Sequence, residues 1–542
     1  MVESLPGLHY YRPVTRQAKP ETYTADVIVY GATSAGITAA MQVRKLGHTV
    51  IVVELGTHIG GLSSGGLGAT DIGNKNAIGG LSYQFYQDMG AHYGQSEAWN
   101  FEPKVARAWF LKQCETFGIT VHTLAPLTAV RKTGTTITEI EVATGAIYRG
   151  KMFIDASYEG DLMAKAGVSY HVGREANSQY RETLNGVHFG HPGHNFRAWV
   201  DPYITPGQPG SGLLPGVQDV APGFQGQGDH CVQAYNFRAC LSFNPANRKP
   251  IPKPAGYNPM RYELLRRYIA AGIYDPYTLS RIMPNQKTDT NNFGAISSDN
   301  IGMNYQWPDG TYETREQIFQ DHVNYQMGMY YFLCTDERLP QWVRDDAQRL
   351  GLPLDEFTNS GGWTPQLYIR EARRMIGGLV MTEYHCRGTT VVEDPIALAA
   401  YTMDSHNCRR LVLDGRVLNE GNVEIGGFPP YPISLRSLLP QAHECTNLVV
   451  PACLSASHIA YGSIRMEPVF MITGQSAGTI AVQALSDGVA VQALPYAQVR
   501  AQQERDGIVL EWNATQATRA RPEILSDAGD MFYKKYPLVM GK

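Results

Sequence analysis

The sequence is short of cysteine, of charge and of long apolar runs, and each shortage removes a class of function. Its 542 residues hold eight cysteines (Cys114, Cys231, Cys240, Cys334, Cys386, Cys408, Cys445 and Cys453), none arranged as Cys-x-x-Cys. That spacing argues against zinc knuckles, iron–sulfur clusters and a redox-active dithiol. The density is too low for a disulfide-framed scaffold, although it leaves room for one or two bridges. Only 18% of the residues are charged and the net charge is −4, so neither nucleic acid nor an anionic membrane is an expected partner. No stretch approaches the roughly 18 apolar residues of a membrane span. Met1–Pro20 is polar and lacks an apolar signal core. A removed leader would leave the same picture, so periplasmic, secreted and cytoplasmic locations all stay open.

What is present is an ordinary globular composition, 43% hydrophobic, with room for two or three domains' worth of core. Its most ordered pattern begins at Ala25. Asp26–Tyr30 is a β-branched apolar run expected to be a buried parallel strand, Gly31 a tight turn, and Ile37–Leu46 a helix stopped by Gly47. Thr49–Val53 is a second strand, and it ends on Glu54. A βαβ unit of about 30 residues with an acid ~20 residues past its glycines is the dinucleotide fingerprint. Helix N–H groups at Gly31–Gly36 would receive a pyrophosphate, and Glu54 a ribose diol. Thr33 stands where the middle glycine of the pattern belongs. Gly60-Gly61-Leu62-Ser63-Ser64-Gly65-Gly66-Leu67-Gly68 follows; so glycine-rich a run is expected to be backbone lying close over a flat ligand.

The strand, Gly31-x-x-x-x-Gly36, Glu54 and the Gly60-Gly61 doublet resemble the FAD-binding half of the glutathione-reductase-type flavoproteins. More narrowly, the chain resembles the bacterial FAD-dependent oxidoreductase family whose members often carry a xanthan lyase label. The resemblance implies an α/β fold: a Rossmann-like FAD-binding domain with an inserted mixed α+β substrate domain. The expected organisation is an arm at 1–21, the FAD domain at 22–165 and 438–495, a substrate domain at 166–437, and a C-terminal helix and tail at 496–542. It implies noncovalent FAD held by Gly31, Thr33, Ser34, Ala35, Gly36, Glu54, Leu55, Gly60, Gly61, Leu62, Ser63, Gly66 and Leu67. A turn at Ala156, Ser157 and Gly160 would lie close to the cofactor, after a β-meander that feeds a strand returning beside the first. The segment Leu454–Arg465 and Thr473–Gly478 resembles the family's C-terminal FAD-contacting part. It implies contacts from Ser457, Gly474, Gln475 and Ala477, with a helix starting at Gly474 and aiming its amides at the flavin. His58 lies near where some relatives tether FAD, but its surroundings differ, so tethering is the lesser option.

Elsewhere, helices are expected around Tyr83–Tyr93, Lys104–Thr116, 258–275 and 313–350, and sheet at Val121–Val130, Thr135–Val142, Asp394–His406 and Leu411–Ile425. His188, His191 and His194 repeat at three-residue spacing, but in a loop without a carboxylate at ligand spacing. Solvated loop histidines are therefore expected, with no metal. Arg370, Arg373 and Arg374 would give a solvated or salt-bridged helix face, with anion recognition as the minority alternative.

Gly474-Gln475-Ser476-Ala477-Gly478 fits the G-x-S-x-G nucleophile elbow, yet a hydrolase of that type needs a later histidine and none follows His458. A polysaccharide lyase has no use for a dinucleotide site. With one fingerprint and no dithiol, electrons would leave to an acceptor that the sequence does not identify, not through a pyridine-nucleotide half. The expected activity is that of a dehydrogenase or oxidase passing hydride from a small polar, sugar-like substrate to flavin. His458 is the leading base, and Arg465 the group for a substrate carboxylate or the reduced flavin. Tyr235, Arg238 and His406 stand behind them, and each of the five could instead be a hydrogen-bonded interior residue. The alternatives are a reductase of an activated double bond, with Arg465 or Arg238 delivering the proton, and a flavin-binding protein without catalysis.

Overall fold

The computed structural model describes residues 5, 7–279 and 282–513; Pro6 of the expected arm and the expected tail beyond 513 lie outside them. Five strands, numbered here in chain order, form one parallel sheet. They are β1 (Val27–Tyr30), β2 (Val50–Val53), β3 (Thr120–His122), β4 (Met152–Asp155) and β5 (Leu448–Val449), in the order β5-β4-β1-β2-β3. Every residue of β1 is buried, which is what an uninterrupted Val-Ile-Val-Tyr run requires of a strand covered on both faces. Each such side chain contributes roughly 1.5–3 kcal/mol on leaving water.

Between β1 and β2 runs α1 (Ser34–Lys45), three residues longer at its start than the apolar pattern alone gives, because Thr33 caps it by accepting from the Gly36 amide. Gly47, at φ 85°, closes it. The stretch expected as one strand at Val121–Val130 is two: β3 in the parallel sheet, then Leu127–Thr133 in a three-stranded antiparallel meander. The chain turns between them at Leu124, φ 53°. As the family resemblance implied, the meander feeds β4, which returns beside β1.

The remaining helices that matter for the site are α2 (Tyr312–Thr335), α3 (His458–Ile464) and α4 (Glu467–Asp487). The 313–350 region is two helices, not one, broken after Thr335 and resumed at Gln341–Ala347. Of 258–275 only Glu263–Ala270 is α-helical. In place of the expected sheet layer, the chain ahead of β5 forms three separate two-stranded antiparallel ribbons, 395–399 with 431–434, 403–405 with 423–425 and 409–413 with 416–420.

α4 lies along α1 in backbone contact. A Cβ on Gly474 would stand 2.2 Å from the Ala35 carbonyl oxygen, and one on Gly478 2.6 Å from that of Ala39. This corrects the expectation that Gly474 opens a helix: the helix begins seven residues earlier, at Glu467-Pro468, with Pro in its first turn. Ser476 is mid-helix and donates to the Ile396 carbonyl at 2.9 Å, so it is no nucleophile elbow. All eight cysteines are free. Among the described residues no helix is long and apolar enough to cross a membrane.

Candidate active site

The turn after β1 and the acid after β2 meet, as the fingerprint requires. A narrow cavity of about 90 Å³ is lined by Gly31, Thr33, Glu54, Leu55, Gly61 and Ser157, with Gly7, His9 and Tyr10 of the N-terminal arm against it. Glu54 accepts from the Ala32 amide at 2.6 Å and the Gly56 amide at 2.8 Å, and burial raises its pKa. A half-buried carboxylate facing a cavity at the positive end of a 12-residue helix fits a dinucleotide: phosphate for the amides, ribose for the acid.

Three segments then converge on Glu467 at the start of α4. Its carboxylate accepts from Ser34 Oγ at 2.7 Å, Ser63 Oγ at 2.6 Å and Tyr158 Oη at 2.7 Å, while Tyr158 Oη accepts from the Leu62 amide at 2.9 Å. Ala156 joins through its carbonyl, which takes the Thr33 hydroxyl at 2.7 Å. Gly160, at φ 69°, starts the short helix behind Ser157. The true N-terminus of α4, not Gly474, is therefore the helix end beside the Gly60–Gly68 loop.

The glycines of that loop have a reason other than a ligand. A Cβ on Gly60 would strike Phe110, on Gly61 the Tyr158 hydroxyl, and on Gly66 the Arg238 carbonyl oxygen at 2.2 Å; Leu67 is buried with them. Gln475 holds the Leu81 amide at 2.8 Å, Ala477 is wholly buried between helices, and Ser457 caps α3 while donating to Glu182 at 2.7 Å. Gly474, Gln475 and Ala477 are thus packing positions behind the sheet. Burial lowers the His58 pKa to about 4, and its Nε2 lies 3.0 Å from the Gly61 carbonyl.

On the other side of the loop the sequence candidates gather into one buried polar cluster. His458 is the first residue of α3; its Nδ1 meets Glu371 Oε2 at 2.7 Å and its Nε2 meets Ser405 Oγ at 2.9 Å. Both ring nitrogens are thereby engaged. His406 is arranged differently: Nδ1 lies 2.8 Å from Asp299 Oδ2, and Nε2 faces Asp404 Oδ2 at the longer distance of 3.4 Å. Arg465 reaches Asp404 at 3.0 Å and the Tyr368 hydroxyl at 2.6 Å. Tyr235 is fully buried and donates to the Glu371 carbonyl. Arg238 is fully buried, forked on Asp289 at 2.7 and 2.6 Å and held by Asp71 at 2.6 Å.

Arg370, Arg373 and Arg374 are not on a helix and are not solvated. The segment is irregular up to a short strand at Arg374–Met375, and all three arginines are buried. Arg373 pairs with Asp161 at 2.8 Å, and Arg374 with Glu175 at 2.7 Å and Glu371 at 3.1 Å. Arg370 pairs with Asp299 at 2.9 Å but leaves Nε and Nη2 without a partner among the described residues. Arg465 Nε is in the same condition. An unmade hydrogen bond on a buried group costs about 1–3 kcal/mol, and more for a charged one. The guanidinium centres of Arg370, Arg465 and Arg238 stand 4.8, 5.5 and 5.9 Å from the centroid of the Tyr368 ring.

Two further groups have been satisfied locally. His188 meets Gln225 at 2.8 Å, His191 meets Asn422 at 2.8 Å, and His194 meets Glu424 at 3.2 Å, three separate partners. The acids Glu102, Asp355 and Glu356 lie close enough to suit a metal ion, but the Lys287 ammonium sits among them at 2.6, 2.9 and 2.7 Å.

Sequence reading missed Glu467, Tyr158, Tyr368, Glu371, Asp299 and Asp404. Glu467 was within reach, since Glu-Pro marks a helix start. Tyr158 lies within the expected turn at 156–160 and Tyr368 and Glu371 flank Arg370, whereas Asp299 and Asp404 come from segments without a local signature.

The sequence model of the family described as FAD dependent oxidoreductase matches residues 26–503. The chain belongs to that family. FAD is accordingly the cofactor of this oxidoreductase. The xanthan lyase label gains no support from the match. No curated protein matches the chain. Among solved structures it is similar to the L-amino acid deaminase from Proteus vulgaris, at 15% identity over 30% of this chain and 54% of that one, TM-score 0.24. It is also similar to the L-proline dehydrogenase from P. horikoshii (14% identity, 29% and 59% covered, TM-score 0.23) and to T. acidophilum thioredoxin reductase (16%, 29% and 40%, TM-score 0.18). The matched part spans about half the length of those proteins, and likenesses this distant carry no argument about substrate.

Proposed function

We propose that this FAD-dependent oxidoreductase is a dehydrogenase or oxidase of a small polar substrate, with His406 as the base. Bound FAD supplies the acceptor for the hydride and its electron pair. Glu54 and the α1 amides would hold its nucleotide part, and the loop and α4 start around Glu467 its ring end. The residues proposed for the substrate side come chiefly from 233–238, 299, 368–371 and 404–406, which supports a substrate region inserted between the two FAD-binding parts.

The observation that carries the reading is the asymmetry of His406. With Nδ1 committed to Asp299 at 2.8 Å, the lone pair lies on Nε2, and a proton arriving there meets the Asp404 carboxylate at 3.4 Å. The substrate's hydroxyl or amine proton goes to Nε2 as its C–H hydride leaves. His458, with Ser405 and Glu371 on its two nitrogens, is better suited to hold the cluster in place. The reductase alternative asks Arg465 or Arg238 for a proton. Burial opposes their charge, yet Tyr368 and Asp404 around Arg465, and Asp289 and Asp71 around Arg238, push both pKa values further up; neither is suited to donate.

The test is anaerobic mixing of the yellow protein with panels of sugars, sugar acids, hydroxy acids and amines while the flavin band is followed. Bleaching by one class, lost in His406→Asn with FAD still bound, is expected. A flavin that dithionite reduces and no panel member does would favour the non-catalytic reading.

A further inference from the structure

The cluster contains cationic donors that the protein does not use. Arg370 is fully buried and Arg465 is 3% exposed, yet Nε and Nη2 of the first and Nε of the second have no partner among the described residues. Both guanidinium groups stand over one ring, that of Tyr368, at 4.8 and 5.5 Å. Their ion partners, Asp299 and Asp404, are bridged in turn by His406. Native proteins seldom bury a charged fork with open donors unless something else fills them.

We propose that Arg370 and Arg465 receive a carboxylate of the substrate. The inference rests on the reading of this cluster as the substrate side of the flavin. Among Arg370, Arg465, Asp299, Asp404 and His406 the charges favour a single negative charge on the ligand. Two arginines balance Asp299 and Asp404, and the one further positive charge appears when His406 takes the substrate's proton, so a monoanionic carboxylate is matched as the reaction proceeds. A phosphate dianion exceeds what the cluster offers. Carboxylates also suit the planar fork of arginine, which binds both oxygens at once. A carboxylate fixed here places the adjoining carbon beside His406, which suits a hydroxy or amino acid, sugar acids included.

The holoenzyme is titrated with acetate, glycolate and benzoate, with acetamide and benzamide as neutral counterparts, and with inorganic phosphate. The readouts are the thermal unfolding midpoint and the flavin absorption band. At least one carboxylate is expected to raise the midpoint and shift the band, with its amide at least tenfold weaker and Arg370→Met weakening it tenfold or more. Arg370→Lys should recover part of the loss. Equal binding of acid and amide, no binding by any acid, or phosphate binding tighter than every acid overturns the proposal. The acid-against-amide comparison in the unaltered protein decides even where Arg370→Met fails to fold. Midpoint shifts by carboxylates do not depend on turnover, so a protein that binds them but is reduced by nothing would sink the dehydrogenase reading and leave this one standing.

Discussion

Ser34 donates to Glu467 at 2.7 Å across 433 residues of sequence. That bond joins the first turn of α1 to the first turn of α4, and the same carboxylate gathers Ser63 and Tyr158. Two distant parts of the chain are thereby held in register around the place proposed for the FAD ring. The Gly474 and Gly478 contacts keep the helices close enough for the bond to form.

Removing that acceptor strands three buried hydroxyl groups. Glu467→Ala is expected to cost about 3 kcal/mol or more in unfolding free energy and to lower the FAD content of the purified protein. Glu467→Gln, which keeps one acceptor oxygen, should lose less. Urea unfolding together with the ratio of flavin to protein absorbance checks both; a fully stable, fully loaded Ala variant would refute the role.

Gly474→Ala forces a methyl group to within 2.2 Å of the Ala35 carbonyl oxygen. Overpacking of this kind costs about 1–3 kcal/mol, and moving α1 should also weaken FAD. Gly388→Ala serves as the control, since nothing lies within 4 Å of that position and only its φ of 71° is unfavourable; it should leave FAD content unchanged. Thermal melts and flavin content of the two variants make the comparison.

Acid should destabilise the protein over a defined window. Burial opposes charge on Glu371, but His458 and Arg374 outweigh it and hold its pKa at about 2; Asp299, buried likewise, is brought to about 2 with Arg370 as its foremost cation. Folded values below the unfolded ones mean that the unfolded chain binds more protons, so stability is fully present above about pH 4.5 and is lost as pH falls toward about 2. Denaturation midpoints measured from pH 6 to 2 should show this decline, and Glu371→Gln should make it shallower.

His406 and His458 should separate kinetically. His406→Asn is expected to slow substrate-dependent flavin reduction about 10²–10⁴-fold, and to lower the melting temperature too, since it disturbs the buried pair with Asp299. His458→Asn should lower the melting temperature, because it disturbs a buried pair with Glu371, and slow reduction less. Stopped-flow reduction and thermal melts read the two effects independently; the reverse pattern would return the base to His458.

Acid precipitation should release the flavin. Burial keeps His58 neutral, with its pKa lowered to about 4, and its ring is committed to Gly61 and Ser64 at 3.0 Å each. A yellow supernatant and a colourless pellet are expected; colour retained in the pellet, and lost from it in His58→Ala, would establish a tether.

Local pattern was enough for the FAD half. Residues 25–54 carry the strand period, the helix cap and the terminal acid within about 30 positions, so a βαβ unit and its chemistry can be read directly. Reading failed where several structures share one local pattern. The glycine at 474 serves a helix–helix contact as well as it would a helix start, and only the position of α1 decides which. Arg370, Arg373 and Arg374 at helical spacing were drawn off by Asp299, Asp161 and Glu175, acids 71 to roughly 210 residues away in sequence. A buried guanidinium must find a carboxylate wherever the fold brings one. The sequence by itself determined the βαβ unit and pointed to its cofactor, because the parts of the fingerprint are neighbours in the chain. The polar cluster around Tyr368 was decided by tertiary structure alone, since burial and pairing, not residue type, separate His406 from His458.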